Sequence, residues 1–510
     1  MEFALDQFAT SFIKRRALDE NFVPSDHSFF VHDLEHQYLS CLLTGYVKDF
    51  YYMKKAEVLT YAMELHREML RKDPLYHLTS LKVAREIGMK DQVMIGLLEW
   101  GEHRERAEHF DELVTLLGTF PPSQIVKKYI RPKRKKIVGG FGSFDKRLIS
   151  SLWAKWEEQG KLSYYLVKYR PYMEQIVRLI HIRTPSWPYI IHPSKYDGPD
   201  NYLTEVSNFF HTKEFSGPKF PFELVRGNIP KSQWKGVKIE ETDMTGNTIV
   251  MQACSLYEAL GNKFIPLVRG AVNSPTLTSD KILKALIRAS EKQYDKLTRE
   301  LGTLYTEKVK GTYKHLLLPV TPPNIGVVLD ASGSMEPETL RGMFFTGLSL
   351  IAPFAPLVSS LVLFSDEAKE EDEGLLMDWE GLNILTGYAS LHYNGGTDIT
   401  SGIIKMMELI NRNEVNTVII FSDEQANLIE GGSREMGLIK KLLDEGIEVI
   451  VINPTPYPVK VTDIRDKRLI YIPACNPESL AGALKLIQLR GQLKERDGRE
   501  LIYRLEAVYN

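Results

Sequence analysis

The polar residues that follow one predicted strand have the types and spacing of a divalent-cation site. The segment VVLDASGSM places Asp330, Ser332 and Ser334 directly after an apolar run. One carboxylate and two hydroxyls at alternating positions can converge on a single ion, and Gly333 lets the backbone turn tightly between the serines. Because all three ligands are oxygens, they suit Mg²⁺ or Mn²⁺ better than a metal that prefers thiolates or imidazoles.

Two later segments supply ligands of the same kind. NGGTD contains Thr397, and Asp423 follows the apolar run of VIIFSDEQ. A D-x-S-x-S sequence alone also occurs in loops whose Asp accepts backbone hydrogen bonds, but the ordered combination with two further loops favours a metal site. Ligand-binding loops lie at the carboxyl ends of parallel strands, so we expect these side chains to lie together. We predict that one divalent cation, Mg²⁺ or Mn²⁺, is bound by Asp330, Ser332, Ser334, Thr397 and Asp423.

This arrangement resembles the metal-ion-dependent adhesion site of the von Willebrand factor A family. This sequence has a residue of the matching type at all five ligand positions of that site. The resemblance implies an A-type domain whose cation can take a carboxylate of a partner protein as a further ligand. Asp398, next to Thr397, is expected to accept a hydrogen bond near the site rather than to bind the ion.

A second group of residues is basic and lies in the first half of the chain. KKYIRPKRKK (residues 127–136) has the density of cations that phosphate neutralisation requires, although such a run also occurs as a solvated loop at the end of a helix. Cations and rings farther along could contact phosphates or stack on unpaired bases. The predicted RNA-contacting residues are Lys127, Lys128, Arg131, Lys133, Arg134, Lys135, Lys136, Lys146, Arg147, Lys168, Tyr169, Arg170, Arg178, His181 and Arg183.

Different kinds of element must position these two groups. Up to about residue 310 the apolar residues recur at helical spacing, as in residues 56–72 and 279–297, which indicates an all-α array. After residue 320, helical stretches alternate with short apolar strands, which predicts a doubly wound α/β domain with a parallel sheet. The strand sequences are IGVVLD, SLVLFS, NTVIIFS, IEVIVIN and LIYIP. We therefore predict domains at residues 1–320 and 321–510.

Charge divides at the same place. The 510-residue chain has a net charge of only -2, but 47 basic and 38 acidic residues precede residue 321, whereas 17 basic and 28 acidic residues follow residue 320. The first part, at about +9, suits a polyanion.

The three cysteines cannot form a fully paired disulfide framework, which fits a reducing compartment. The sequence has neither a secretory signal nor a membrane-spanning run, so we expect a cytoplasmic protein with no membrane partner.

The segment GFGSFDKRLISSLWAKWEEQGKLSYYLVKYRPYMEQIVRLIHIRTP (residues 140–185) resembles the TROVE domain of the Ro autoantigen family. LLTGYVKDFYY, DPLYHLTSLKVAREIGMKDQ, LVRGNIPKSQW and KILKALI also resemble TROVE sequence, and a TROVE domain followed directly by an A-type domain is the Ro layout. The resemblance implies a monomeric ring of HEAT-like helical repeats closed by the A-type domain. Its basic surface and central hole are expected to bind small non-coding RNAs.

The resemblance also changes the interpretation of one histidine. His181 lies in the apolar run RLIHI, where a histidine is often a core residue. The matching histidine of Ro relatives belongs to the RNA-contacting surface, which implies that role here. Tyr164 and Tyr165 are instead predicted to be core residues, and so are Trp153 and Trp156.

We therefore expect an RNA-binding protein that holds Y-type RNA and the single-stranded ends of misfolded RNA in a quality-control role. Because bacterial relatives work with exoribonucleases, such a nuclease is an expected partner. The alternative is a metal-dependent adaptor that binds an acidic protein ligand through its A-type domain. A third interpretation is a chelatase-like ATPase subunit. The sequence does not support it, because it has no G-x-x-x-x-G-K-[ST] loop to hold nucleotide phosphates. No paired nucleophile and base is recognisable, so we do not expect an enzyme.

Overall fold

The computed structural model describes residues 34–44, 55–86, 88–214, 220–236, 239–274, 277–318, 320–336, 342–377, 396–423, 432–452, 466, 468–472 and 477–492. Its contacts divide into two compact units, residues 94–276 and residues 1–93 with 277–510. The predicted domains at 1–320 and 321–510 follow the change in element type, whereas the units follow contacts between residues. Those domain boundaries therefore stay a prediction. Cys475 and residues 45–52 of the LLTGYVKDFYY segment lie outside the described residues.

The described chain before residue 319 is helical, as predicted, with one isolated bridge between Pro221 and Asp243. Its α-helices are α1 (Leu34–Thr44), α2 (Lys55–Lys72), α3 (Pro74–Glu86), α4 (Lys90–Trp100), α5 (Phe110–Gly118), α6 (Pro122–Gln124), α7 (Arg131–Arg134), α8 (Ser143–Glu158), α9 (Leu162–Lys168), α10 (Arg170–Ile180), α11 (Trp187–Ile191), α12 (Asn201–Thr212), α13 (Phe222–Asn228), α14 (Gly246–Met251), α15 (Ala253–Leu260), α16 (Ile265–Gly270), α17 (Ser279–Glu291) and α18 (Asp295–Thr312).

Apolar periodicity located one helix as predicted and missed a break in another. The helix predicted at residues 56–72 is α2, whereas the one predicted at 279–297 is divided between α17 and α18. The chain turns between them at Gln293, whose φ of 56° is left-handed and ends the α-helical hydrogen bonding. A polar residue in a left-handed conformation does not change the apolar spacing on either side, so the sequence pattern runs through the break.

The unit of residues 94–276 is held together by one buried face from each of its longer helices. In α8 the buried residues Leu148, Leu152 and Trp156 recur every fourth position, and α10 buries Met173, Ile176 and Val177. This i, i+3, i+4 spacing aligns apolar side chains in one stripe, and α8 packs against both α5 and α10. Trp153 and Trp156 are each 1% exposed, so their prediction as core residues is confirmed.

The second unit contains a sheet of six described strands in the order β3-β2-β1-β4-β5-β6. The strands are β1 (Ile325–Asp330), β2 (Val358–Phe364), β3 (Ala368–Glu371), β4 (Thr417–Phe421), β5 (Glu448–Ile452) and β6 (Leu469–Ile472). The helices among them are α19 (Met343–Ile351), α20 (Ile399–Ile410), α21 (Gly432–Asp444) and α22 (Pro477–Gln492). All neighbouring strands are parallel except β2 and β3, which pair antiparallel. The predicted doubly wound α/β fold is confirmed, with an added antiparallel edge strand.

The sheet core forms because its central strands are mostly apolar and are buried at every position. Every residue of β1 and β4 is buried, which requires cover on both faces of the sheet. The helix α20 packs on one face, where Gly402 lies so close to Val328 and Phe364 that a Cβ atom would come within 3.0 Å of both side chains. Among the described helices, none combines the length and apolar composition needed to cross a membrane.

The same unit joins elements that are far apart in the sequence. The first described helix, α1, packs against the last, α22. A buried polar cluster lies among α1 to α4, in which His66 Nδ1 lies 2.9 Å from His77 Nε2 and His66 Nε2 lies 3.1 Å from Gln92 Oε1. Tyr38 stacks edge-on against His66, and the Cys41 thiol points at Gln92 Oε1 from 3.7 Å.

Candidate functional site

Asp330 lies at the point of the sheet where ligand sites form in doubly wound folds. It is the last residue of β1, and the chain order places β2 and β3 on one side of β1 and β4 to β6 on the other. Its side chain is fully buried, and both of its oxygens accept hydrogen bonds. The Ser332 amide donates to Oδ1 at 2.9 Å, and the Ser422 hydroxyl donates to Oδ2 at 2.5 Å. These bonds fix the carboxylate at the carboxyl end of the strand.

The two predicted serine ligands are brought together by a short turn after β1. Residues Gly333–Met335 form a single 3₁₀ turn that begins directly after Ser332. The Ser332 and Ser334 hydroxyl oxygens lie 3.1 Å apart. Two hydroxyls at this distance, beside a fixed carboxylate, are oxygens of the type that bind small cations.

Thr397 lies on a neighbouring loop at the same edge. Its loop is fixed beyond the end of β2, where the Asp398 amide donates to the Ser365 carbonyl at 2.7 Å and the Gly396 amide donates to Asp366 Oδ1 at 2.7 Å. Asp398 itself caps α20, because its Oδ1 accepts from the Thr400 amide at 3.1 Å. Its hydrogen bond therefore serves the helix end.

Asp423 completes the group of predicted ligands just beyond β4 and is fully buried. Burial raises the pKa of Asp330 to about 6, and the nearby negative charge of Asp423 adds to this rise. Two buried carboxylates that repel each other, with hydroxyls beside them, are a donor set that a divalent cation fits, because the ion would neutralise both. Among the described residues, no group of three or more His, Cys, Asp and Glu has the geometry of a metal site.

The basic segment, residues 127–136, runs through two short helical pieces. A π-helical turn, Ile125–Ile130, joins α6 to α7. Its inward positions are taken by Val126, Tyr129 and Ile130, which leaves Lys127 exposed and Lys128 half-buried. Beyond it, Arg131, Arg134, Lys135 and Lys136 are exposed as expected.

Lys133 is the exception, and the structure corrects its predicted role. Because α7 continues the inward row of the π-helical turn, the Lys133 side chain points into the unit and is 0% exposed. Its ammonium lies 2.7 Å from Glu102 Oε1 and 3.3 Å from Asp145 Oδ1. A buried ammonium paired with two carboxylates offers no charge to a phosphate, so Lys133 is not an RNA-contacting residue.

The exposed part of the basic segment lies alongside α10. Lys127 Nζ lies 5.3 Å from the centre of the Tyr172 ring, and Arg131 Nη2 donates to Gln175 Oε1 at 3.3 Å. Arg178 follows Gln175 by three residues, so these two side chains are neighbours on the surface of α10. The guanidinium of Arg178 is exposed and donates to Glu174 Oε1 through Nε at 3.0 Å and Nη2 at 2.8 Å.

His181 follows α10 on the surface. It ends the helix with a φ of 54°, and its amide donates to the Val177 carbonyl at 2.9 Å. The left-handed residue at a helix end turns the chain away from the core, which explains why this histidine is exposed although it lies in an apolar run. The core interpretation of His181 is therefore wrong. Arg183, two residues later, is exposed as well.

The remaining predicted contacts differ in accessibility. Lys146 and Arg147 are exposed on α8, and the Arg147 guanidinium lies 4.7 Å from the centre of the Phe110 ring. Lys168 and Arg170 are half-buried and engaged internally, since Lys168 Nζ donates to the Tyr164 hydroxyl at 2.9 Å and Arg170 Nη1 donates to the Ile190 carbonyl at 3.1 Å. These two cations therefore make hydrogen bonds within the unit and are only partly accessible to solvent.

The tyrosines of α9 are half-buried, which corrects their prediction as core residues. The Tyr164 hydroxyl donates to an Asp243 carboxylate, and burial with this bond raises the pKa of Tyr164 well above its ordinary value. Tyr169, also half-buried, stacks edge-on against Tyr165, and burial raises the pKa of Tyr169 to about 12. These rings form a polar aromatic cluster between the core and the surface.

Sequence reasoning missed one aromatic residue on this surface. Trp187 begins α11 and is 37% exposed, and the Arg178 guanidinium lies 5.9 Å from its ring centre. The flanking sequence TPSWP contains the signal, because two prolines fix a short turn that holds the indole outside the core.

Comparison with known proteins supports the fold. No family model matches the sequence, and no curated protein does either. The crystal structure of the Ro (RSR) protein of Deinococcus radiodurans superposes with a TM-score of 0.59 at 14% identity, covering 89% of this chain and 99% of that one. The chain therefore has the fold of that Ro protein, and the predicted helical part followed by an A-type α/β part is confirmed.

Two further solved structures match over 34% of this chain. An aerotolerance-related membrane protein of Bacteroides fragilis has a TM-score of 0.24, 17% identity and full coverage, 100%, of that chain. The proximal thread matrix protein 1 of mussel byssus has a TM-score of 0.25, 16% identity and 49% coverage of that chain. At these TM-scores neither likeness bears on function.

Proposed function

We propose that this chain is an RNA-binding protein of the Ro type. The observation that carries the proposal is the alignment of the basic segment with α10. Exposed Lys127 and Arg131 contact Tyr172 and Gln175, and exposed Arg178 lies on the same helix. Cations in such a row neutralise successive phosphates and release their counterions.

The proposed RNA ligands are small non-coding RNA of the Y type and the single-stranded ends of misfolded RNA, in a quality-control role within the cytoplasm. Two kinds of contact support this pair of ligands. Exposed lysines and arginines such as Lys135 attract any phosphate backbone, whereas the exposed imidazole of His181 can stack on or hydrogen-bond to one unpaired base. An exoribonuclease partner would act on the captured end, and the chain itself would bind without catalysis.

A second candidate function is that of a metal-dependent adaptor, favoured by the buried carboxylates of Asp330 and Asp423. Asp330, Ser332, Ser334, Thr397 and Asp423 would hold one Mg²⁺ or Mn²⁺. When bound, the cation would supply an open position to an acidic side chain of a partner protein. The Ser332 amide and the Ser422 hydroxyl orient the Asp330 carboxylate for that role. The two functions are compatible, because their residues belong to different units.

The test of RNA binding uses the purified full chain and fluorescence anisotropy. The probe is a labelled RNA hairpin with a single-stranded 3′ tail, and DNA of the same sequence is the control for contacts to 2′-hydroxyls. We expect binding that weakens steeply with salt and is tighter for RNA than for DNA. Absence of binding to the hairpin at low ionic strength, with a folded chain, would overturn the proposal.

A further inference from the structure

An exposed indole is unusual enough to require an explanation. Tryptophan is highly buried on average because its large ring loses much apolar surface from water when it packs. In the described part of the chain, Trp100, Trp153, Trp156 and Trp234 follow this rule at 4% exposure or less, whereas Trp187 is 37% exposed. Trp187 therefore differs from the other described tryptophans in that its ring lies at the surface.

The backbone around Trp187 holds the ring in place. Its amide donates to the Thr184 carbonyl at 3.0 Å, which closes a turn, and Pro188 follows inside α11. The helix is held against the core by two buried side chains, because Tyr189 is 1% exposed and Ile190 is 0% exposed. A ring on a fixed backbone loses little conformational entropy when a flat ligand stacks on it.

A fixed cation lies beside the ring. The Arg178 guanidinium is 5.9 Å from the centre of the Trp187 ring and is held by two hydrogen bonds to Glu174. Exposed His181 and Arg183 follow Arg178 closely in the chain. A cation beside an exposed indole fits a ligand that combines flat rings with negative charge.

Single-stranded RNA has this combination, because each unpaired base presents a π-face between two phosphates. Pro185 and Pro188 beside the ring are exposed as well. A protein partner packed on this patch would bury the Arg178 guanidinium, which lies 5.9 Å from the ring centre, whereas a phosphate would pair with it. We propose that Trp187 is a stacking platform for an unpaired nucleobase of single-stranded RNA, with Arg178 beside it to contact the adjacent phosphate. This inference rests on the proposed RNA-binding function and adds a binding residue to it.

The experiment compares the full chain with Trp187→Leu and Trp187→Phe, using labelled oligoadenylate RNA of about twelve nucleotides, a length that spans typical single-strand sites. Removing one stacking ring lowers affinity roughly five- to 150-fold. We expect such a loss in Trp187→Leu, recovery of most of the affinity in Trp187→Phe, and an unchanged salt slope because no phosphate contact is removed. Wild-type indole fluorescence should be quenched on binding, and this quenching should shrink in Trp187→Leu.

Matched controls separate the possible failures. Met251→Ala removes another exposed apolar side chain of the same unit, 46% exposed, and should leave affinity unchanged. Thermal unfolding confirms that each variant is folded. If the wild-type chain binds no RNA, the proposed function fails. If it binds RNA and Trp187→Leu binds equally well, the stacking platform fails. A loss of affinity accompanied by a flatter salt slope would also overturn it, because Trp187 would then act only by holding Arg178.

Discussion

The buried ammonium of Lys133, within the basic segment, donates a hydrogen bond to Glu102 Oε1 at 2.7 Å. The same ammonium lies 3.3 Å from Asp145 Oδ1, which also accepts from the Tyr129 hydroxyl at 2.7 Å. The other oxygen of Asp145 accepts from the Gly142 amide at 2.8 Å, at the start of α8. One lysine of the basic run therefore fastens the segment to α8, and its neighbours are left to face solvent.

This ion pair predicts that substitution of Lys133 destabilises the chain far more than substitution of Lys135. Lys133→Met should destabilise the chain by roughly 3–5 kcal/mol, because it leaves the buried Asp145 carboxylate without its cation. Lys135→Met, at an exposed position, should change stability by less than about 0.5 kcal/mol. Urea denaturation followed by circular dichroism measures both. Equal urea midpoints for the two variants would show that the buried ion pair does not contribute to the stability of the fold.

The salt dependence of RNA binding should report the exposed cations of the segment. Replacing Arg134, Lys135 and Lys136 together by Gln should flatten the slope of log affinity against log salt by about 0.7 to 0.9 for each cation that contacts phosphate. Anisotropy titrations at several salt concentrations provide the slopes, and the control replaces exposed Lys195, Lys231 and Lys263 in the same way. An unchanged slope in the first variant would remove the segment from the binding surface.

His181 should affect RNA binding without affecting stability. Asn accepts the left-handed conformation that His181 adopts, so His181→Asn removes the imidazole while it preserves the end of α10. We expect weaker binding of the structured RNA probe, an unchanged salt slope and a melting temperature within the error of wild type. A lower melting temperature with normal affinity would instead indicate a structural role.

The cation site should depend on its anionic ligand. Asp330→Ala should abolish Mg²⁺ and Mn²⁺ binding, measured by isothermal titration calorimetry, because it removes one of the two carboxylates of the set. Glu408→Ala, which removes an exposed carboxylate from the last turn of α20 in the same unit, is the control and should retain the affinity. Undiminished binding in Asp330→Ala, or no binding by the wild-type chain, would contradict the proposed site.

The buried histidine pair predicts instability in mild acid. Burial lowers the pKa of His66 to about 4, and its hydrogen bond to Gln92 only partly opposes this. With Gln92 Oε1 as acceptor, His66 Nε2 donates and His66 Nδ1 accepts from His77, so a second proton on His66 has no place. Because the pKa is lower in the folded chain than the ordinary 6.5, stability is complete above pH 6.5 and is lost as pH falls toward 4.

The loss should reach about 3 kcal/mol near pH 4, since each pKa unit corresponds to about 1.4 kcal/mol. Denaturant titrations between pH 7 and pH 4 measure it. His66→Gln should flatten the dependence, whereas the exposed His192→Gln should leave it as in wild type. An identical pH dependence in wild type and His66→Gln would show that other groups govern acid unfolding.

Some of these features could be predicted from the sequence and others could not. The apolar strands and the oxygen ligands after them are local patterns, so the sheet, the position of Asp330 and the edge carrying Asp423 could be predicted. The strand β3, AKEE, is too polar to be recognised and forms only because β2 pairs with it. Burial of Lys133 depends on a π-helical turn and on two carboxylates from other elements, which a run of cations does not show.

The packing of α1 on α22 has a consequence for synthesis. Residues 94–276 form a unit from one continuous stretch of chain, so they can fold while the ribosome is still translating the rest. The first described helix cannot pack at that stage, because α22, against which it packs, is translated after residues 94–276. We expect the other unit to form only once α22 has emerged from the ribosome, and a chaperone that shields nascent helices should associate with α1 until then.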